Sequence, residues 1–196
     1  MAKKTDIRAL IDKTQEYLPS KTLALIEDAY EFAAQAYQAN ESGELYLEHA
    51  LRTAITIAEL QLDENCIAAA LLHEVPERCD ITSAKIGKRF GTEVEKLVEG
   101  VVKLSRISWP DEAKLKKSGI DIEAQAESLR KMLMAMSEDI RVVFIKLADR
   151  LHHMRTLKRV PASRRRAIAQ ETMDCLLYTS DAADEGLGVD LGGRRI

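Results

Sequence analysis

An all-α bundle is the fold this 196-residue sequence predicts, and three observations predict it. Apolar residues recur at spacings of three and four along most of the chain, the repeat of one helix face. No alternating strand pattern of useful length occurs. With 9 Gly and 4 Pro, the chain is too poor in turn formers for a many-turned β architecture, a linker or a collagen. A composition of 46% hydrophobic but only 5% aromatic residues points to a core of aliphatic side chains, and the length fits one domain.

The elements follow in order. Apolar spacing predicts a helix from Asp6 to Tyr17 and a second from Lys21 to Gln38, split at Pro19-Ser20, with Ser20 placed to cap the second. After the polar break Asn40-Glu41-Ser42-Gly43, residues Tyr46 to Leu60 form a third, with His49 in its first turn. Asp63 is placed to cap a fourth, in which Ala68-Ala69-Ala70-Leu71-Leu72 is apolar on every face and therefore buried. That helix delivers His73 and Glu74 where the chain leaves the core, and Pro76 disturbs the turn that follows. Thr82 to Phe90 and Glu93 to Leu104 read as two helices separated by a Gly91 stop. From Ser105 to Ile122, around Trp109-Pro110 and the charged run Asp111 to Lys117, a long loop is expected. Helical spacing returns at Glu123 to Met136 and at Ile140 to Leu157, the last helix holding Lys146, Asp149, His152 and His153.

One more helix begins near Ala167, and from Cys175 the character changes. Cys175-Leu-Leu-Tyr-Thr-Ser-Asp-Ala-Ala-Asp-Glu185 resembles the translation of a sequencing adapter, so residues 175–196 are expected to be a non-native tail and residues 1–174 a domain truncated at its C-terminal end. Four of the nine glycines fall in the last eleven residues. The tail carries two basic and four acidic residues of the chain's 29 and 32, which leaves 27 and 28 before it.

This near balance excludes a global electrostatic attraction to nucleic acid or to an anionic membrane. A polyanionic ligand has to be gripped locally. The basic cluster Lys158-Arg159 and Arg164-Arg165-Arg166 lacks interleaved aromatics and reads as a solvated face, so no direct nucleic-acid binding is expected. Met132, Met134 and Met136 read as flexible core or interface filling. Three widely spaced cysteines, Cys66, Cys79 and Cys175, fit neither a disulfide framework nor a zinc motif and suggest reduced thiols. No apolar run approaches the ~18 residues of a membrane span, and a cytoplasmic location is expected.

Chemistry is concentrated in four histidines: His49, His73 at the end of the buried helix, and His152-His153 beside Asp149. Imidazoles and carboxylates converging from separate helices suit divalent ions such as manganese, iron or zinc. An ion held so can activate water against a phosphate ester or anhydride, with a carboxylate managing the proton.

The local text sharpens this reading. Tyr46-Leu-Glu-His49, Leu71-Leu-His73-Glu74 and Ile145-Lys-Leu-Ala-Asp149-Arg150-Leu-His152 occur in one order, with supporting segments Ser42-Gly43-Glu44, Phe90-Gly91-Thr-Glu-Val94, Leu97-Val-Glu-Gly100, Leu129-Arg-Lys-Met-Leu133 and Met154-Arg155-Thr156-Leu157. Together they resemble the N-terminal hydrolase region of the RelA/SpoT family of guanosine tetra- and pentaphosphate enzymes, over about residues 5 to 174. The resemblance implies an HD-domain helical bundle with a metal site between its helices. It implies one Mn2+ ion held by His49, His73, Glu74 and Asp149, and Glu77 acting on the attacking water. Arg155 and Thr156 contact the substrate in the same reading. The implied reaction removes the 3′-pyrophosphate from the guanosine polyphosphate. The implied partners are that nucleotide and the synthetase and regulatory domains of a longer parent chain.

Four positions depart from the family pattern. Glu74 replaces the Asp of the His-Asp pair, lengthening the carboxylate arm by one methylene. Arg78 follows Glu77 where the family has Asp, and it is expected either to hold neighbouring carboxylates ionised or to grip a phosphate, which leaves its effect on binding unsigned. Asn40 stands where an arginine would lie against guanine, and His153 stands where Asn is expected after Leu-His. These departures imply, as the alternative to a working hydrolase, a catalytically inactive domain retained as a structural and regulatory module of a synthetase.

Overall fold

The computed structural model describes residues 6–40, 42–105, 138–162, 164–170, 172, 173 and 176, and among these residues there is helix, turn and coil but no strand. The loop expected beyond Ser105, the helix Glu123 to Met136, the methionine group within it and nearly all of the tail lie outside the described residues.

Helix α1 (Ile7–Thr14) starts where Asp6 accepts a bond from the Arg8 backbone N–H at 3.2 Å. Helix α2 (Ser20–Tyr37) begins one residue earlier than its spacing suggests, and Ser20 does not cap it. Pro19 holds the cap position in an extended conformation, and Ser20 is already helical. Its ring fixes φ, so the chain enters the helix without needing a side-chain cap.

Helix α3 (Gly43–Glu59) also begins early, three residues before Tyr46. The cause is Gly43: any Cβ there would collide with the Tyr37 carbonyl oxygen, so only glycine lets α3 start hard against the end of α2. His49 consequently lies in the second turn, and it points into the bundle, buried.

Helix α4 (Glu64–Leu72) is capped as expected, with Asp63 accepting from the Cys66 N–H at 3.0 Å. Every residue from Cys66 to Leu72 is completely buried. α4 packs against α2, α3 and, on its other sides, α7 (Thr92–Ser105) and α8 (Arg141–Thr156). Its C-terminal cap is His73. Pro76 does more than disturb the next turn, because it sits in the first turn of a short helix, α5 (Val75–Arg78), where its missing N–H has no partner to lose. Thr82 caps α6 (Ser83–Phe90) through the Lys85 N–H, and Gly91, at φ +96°, turns the chain into α7.

Two devices fix α8 over this hub. At Gly100 of α7 a Cβ would stand 2.7 Å from a Val142 methyl, so the absent side chain sets the close approach of the two helices. Arg141, at the start of α8, bonds Asp63 at 2.8 Å, Glu93 at 2.7 Å and Asp139 at 2.6 Å, joining the beginnings of α4, α7 and α8. In the short 3-10 helix Leu157–Arg159 and after it, Lys158 and Arg164 to Arg166 are exposed. Cys66 and Cys79 are free thiols, Cys66 buried. No helix among the described residues is long and apolar enough to cross a membrane.

Candidate metal centre

Three chain segments meet at the C-terminal end of α4. α3 supplies His49, the end of α4 supplies His73 and Glu74, and α8 supplies Asp149, His152 and His153. All four histidines of the chain gather here: the rings of His73, His152 and His153 lie 5.4, 4.9 and 4.7 Å from that of His49.

His73 is set up as a ligand. Its Nδ1 lies 2.8 Å from the Ala70 carbonyl and donates to it, which leaves the Nε2 lone pair facing the other donors. Burial pushes its pKa down, keeping the imidazole neutral, the form that binds metals.

Two overlapping triads result, His49/His73/Glu74 and His49/Asp149/His153, each with its donor atoms within 4.8 Å of one another. His49 belongs to both, with Nε2 3.2 Å from Asp149 Oδ1 and 4.0 Å from Glu74 Oε2. His153 Nδ1 lies 2.9 Å from the same Asp149 oxygen. Yet His49 Nε2, His73 Nε2, Asp149 Oδ1 and His153 Nδ1 are all buried without a properly directed hydrogen bond. Buried polar atoms are seldom left so, because each loses its water without compensation. A divalent cation seated on either triad would satisfy donors that share His49, so the residues fit one.

The carboxylates are held ionised. Burial opposes the charge on Asp149, but contacts with His153 and His49 and the Lys146 ammonium hold its carboxyl well below the usual range. Lys146 is itself buried and bridges Asp149 Oδ2 at 2.9 Å and the Ser105 hydroxyl at 2.8 Å, which orients that carboxylate. For Glu74, burial again opposes ionisation, and His73, His49 and Arg78 overcome it. The effect expected of Arg78 is thus present, and its route is direct: Arg78 Nη2 takes Glu74 Oε1 at 3.1 Å, leaving Oε2 on the histidine side. The Arg78 guanidinium also lies over the Tyr46 ring, 4.8 Å from its centre.

The remaining expected site residues lie outside the two triads. Glu77 is exposed on α5, just past Glu74. Arg155 is exposed near the end of α8, where the Thr156 hydroxyl donates to the carbonyls of His152 and His153. Asn40 donates to the Arg78 carbonyl at 3.2 Å, tying the end of α2 to α5, and borders a cavity of 340 Å³ between α2 and α3.

His153 stood among the candidate imidazoles but outside the ligand set implied by the resemblance, and Lys146 had no role in it. Both were within reach, since Lys146 and His153 stand three residues before and four after Asp149 on one helix face.

Acid should loosen this centre in the metal-free chain. His152 falls from 6.5 to about 4, chiefly through burial and then through His49, His153 and Arg52, with Glu48 opposing, and His73 moves the same way. A histidine whose folded pKa lies below its unfolded value is protonated first in the unfolded chain. Stability therefore falls as pH drops from about 6.5 towards 4. Below about 4, protonation of Asp149 in the unfolded chain adds to the loss. The expected result, in chelator, is a melting temperature that declines over this window and declines less steeply in His152→Asn. Identical slopes would refute the assignment.

Residues 29–180 match the model of a family described as "HD domain". The chain is 43% identical over 167 residues to a GTP pyrophosphokinase from Brucella ovis, covering 84% of this chain and 21% of that protein. It is 41% identical over 168 residues to a guanosine-3′,5′-bis(diphosphate) 3′-pyrophosphohydrolase of Vibrio cholerae, covering 85% and 23%. Against the bifunctional (p)ppGpp synthase/hydrolase SpoT of Escherichia coli, identity is 43%, covering 82% and 22%. The chain thus spans about a fifth of the length of these curated relatives. A solved structure, described as a metazoan ortholog of SpoT that hydrolyzes ppGpp, superposes with a TM-score of 0.53 at 23% identity, over 86% of this chain and 97% of that one. At that identity it supports the all-α fold alone.

Proposed function

The chain belongs to the HD-domain family, and from that premise we propose that it is the metal-dependent hydrolase domain of a stringent-response protein, acting on (p)ppGpp. The reaction is cleavage of the 3′-pyrophosphate, with GDP or GTP and pyrophosphate as products. The observation that carries the reading is the meeting of His49, His73 and Glu74 with Asp149 around unsatisfied buried donor atoms. The relatives, whose names include (p)ppGpp hydrolases, support the substrate class.

In this reading His49, His73, Glu74 and Asp149 hold one divalent cation, manganese by the family resemblance. When bound, such an ion polarises a phosphoryl oxygen and makes water a stronger nucleophile. The chain's own residues do the rest. His73 presents Nε2 because Ala70 fixes its tautomer, and Lys146 keeps the Asp149 carboxylate ionised and aimed. Glu77, beside the cluster and open to solvent, orients the attacking water and takes its proton. Arg155 and Thr156, at the end of the same helix as Asp149, contact the polyphosphate. The compartment this requires is the cytoplasm, and the synthetase and regulatory domains belong to a longer parent chain.

A second reading, a catalytically inactive module that restrains a neighbouring synthetase, is favoured by two observations. Arg78 occupies a carboxylate oxygen of Glu74, and Asn40 serves as a tie between α2 and α5 instead of a cation for a base. Release of pyrophosphate from the tetraphosphate, with Mn2+, separates the two readings. Turnover by this chain supports the hydrolase and rejects the inactive module. Activity that appears only in the Glu74→Asp/Arg78→Asp double variant rejects the hydrolase.

A further inference from the structure

We propose that His153 is a further protein ligand of this cation site, so that the donor set holds three imidazoles, His49, His73 and His153, beside the carboxylates of Asp149 and Glu74. The inference rests on the metal-site reading above and goes beyond it. His153 was absent from the ligand set implied by the family resemblance, where Asn occupies its position.

Three observations converge on it. His153 Nδ1 is buried and without a directed hydrogen bond, although it lies 2.9 Å from Asp149 Oδ1. Secondly, a ring nitrogen of His153 falls within 4.8 Å of donor atoms on both His49 and Asp149, a spacing at which one ion can touch all three. Thirdly, the His153 ring is stacked on that of His49, 4.7 Å between centres and 26° between planes, so the two imidazoles approach the Asp149 carboxylate side by side. His152 is different. Its ring meets His49 edge-on, at 69°, and it joins neither triad.

The consequence is chemical selectivity. Carboxylate and water ligands suit manganese, whereas imidazole nitrogen favours zinc, cobalt and iron. Replacing an amide by a third imidazole tilts the site towards these nitrogen-preferring ions relative to the site without it.

The chain has only four histidines, so their ring nitrogens can be followed one by one in 1H–15N correlation spectra of the full chain titrated with Zn2+. Direct coordination is expected to move one nitrogen in each of His49, His73 and His153, with Nδ1 as the affected atom of His153, and to leave His152 unligated. A native spectrum in which His153 retains its metal-free nitrogen shifts overturns the proposal without recourse to any variant. In His153→Asn, calorimetry is expected to show the affinity for Co2+ falling on the order of tenfold more than that for Mn2+. Equal losses for the two ions, or none, would also overturn it, with His152→Asn as the matched control. If the native chain binds neither ion, the metal-site reading fails together with the role of His153. If both ions bind but His153 is unaffected, only the role of His153 fails.

Discussion

Asp149→Asn is expected to weaken divalent-cation binding by more than a hundredfold and to destabilise the metal-free chain by about 3 kcal/mol, the cost of stripping one partner from a buried ion pair. The two losses have separate origins. Asn keeps the shape of the side chain but removes the anionic oxygen that faces His49 and His153, which the proposed cation would need as a charged ligand. On the other oxygen, the Lys146 ammonium is left buried with only the Ser105 hydroxyl for company. Adding Lys146→Met removes the orphaned charge, and stability is expected to return while cation affinity does not. Urea unfolding in chelator and calorimetric titration with Mn2+ measure the two quantities independently. Recovery of both in the double variant would show that Asp149 is a structural anion only.

Leu71→Ala is the second large effect. Leu71 is completely buried in α4, close-packed on every side, and truncating such a leucine costs about 2–5 kcal/mol because the surroundings cannot collapse into the space. Its position two residues before His73 adds a functional consequence. A loosened last turn of α4 frees the Ala70 carbonyl that fixes the His73 tautomer, so cation affinity is expected to fall as well. Leu71→Met, which keeps the volume, is expected to cost less than about 1.5 kcal/mol and to retain affinity. Unfolding curves and titrations on both variants check this. An affinity unchanged in Leu71→Ala would uncouple the helix end from the site.

Much of this was legible before any coordinates. The all-apolar run Ala68 to Leu72 announced a buried helix, and Asp63 announced its start, because both signals are local. His49, His73 and Glu74 were readable as one cluster for the same reason: each sits in a short segment of recognisable text. What was not legible depended on contacts between segments. The start of α3 is decided by how closely Gly43 passes Tyr37, which no helical period reports. Ser20 looked like a cap because capping propensity is local, yet Pro19 had already set the entry to α2. For Arg78 a carboxylate and a phosphate were both open as partners until α5 brought it back over Glu74. His153 looked like a loss at a substrate position, because its value depends on Asp149 and His49 standing beside it.

From Cys66 to Leu72 the hub helix α4 has no face open to water, and that bears on how chemistry at its end can be revised. A stem that cannot move without opening the whole bundle leaves side-chain exchange at the margins as the economical form of change. Glu74, Arg78 and His153, three of the departures from the family pattern, are such exchanges: each alters reach, charge or donor type at the rim while the framework beneath stays put. On the proposed reading, change is confined to the tips of these arms, where an exchange retunes metal preference or silences the domain without refolding it.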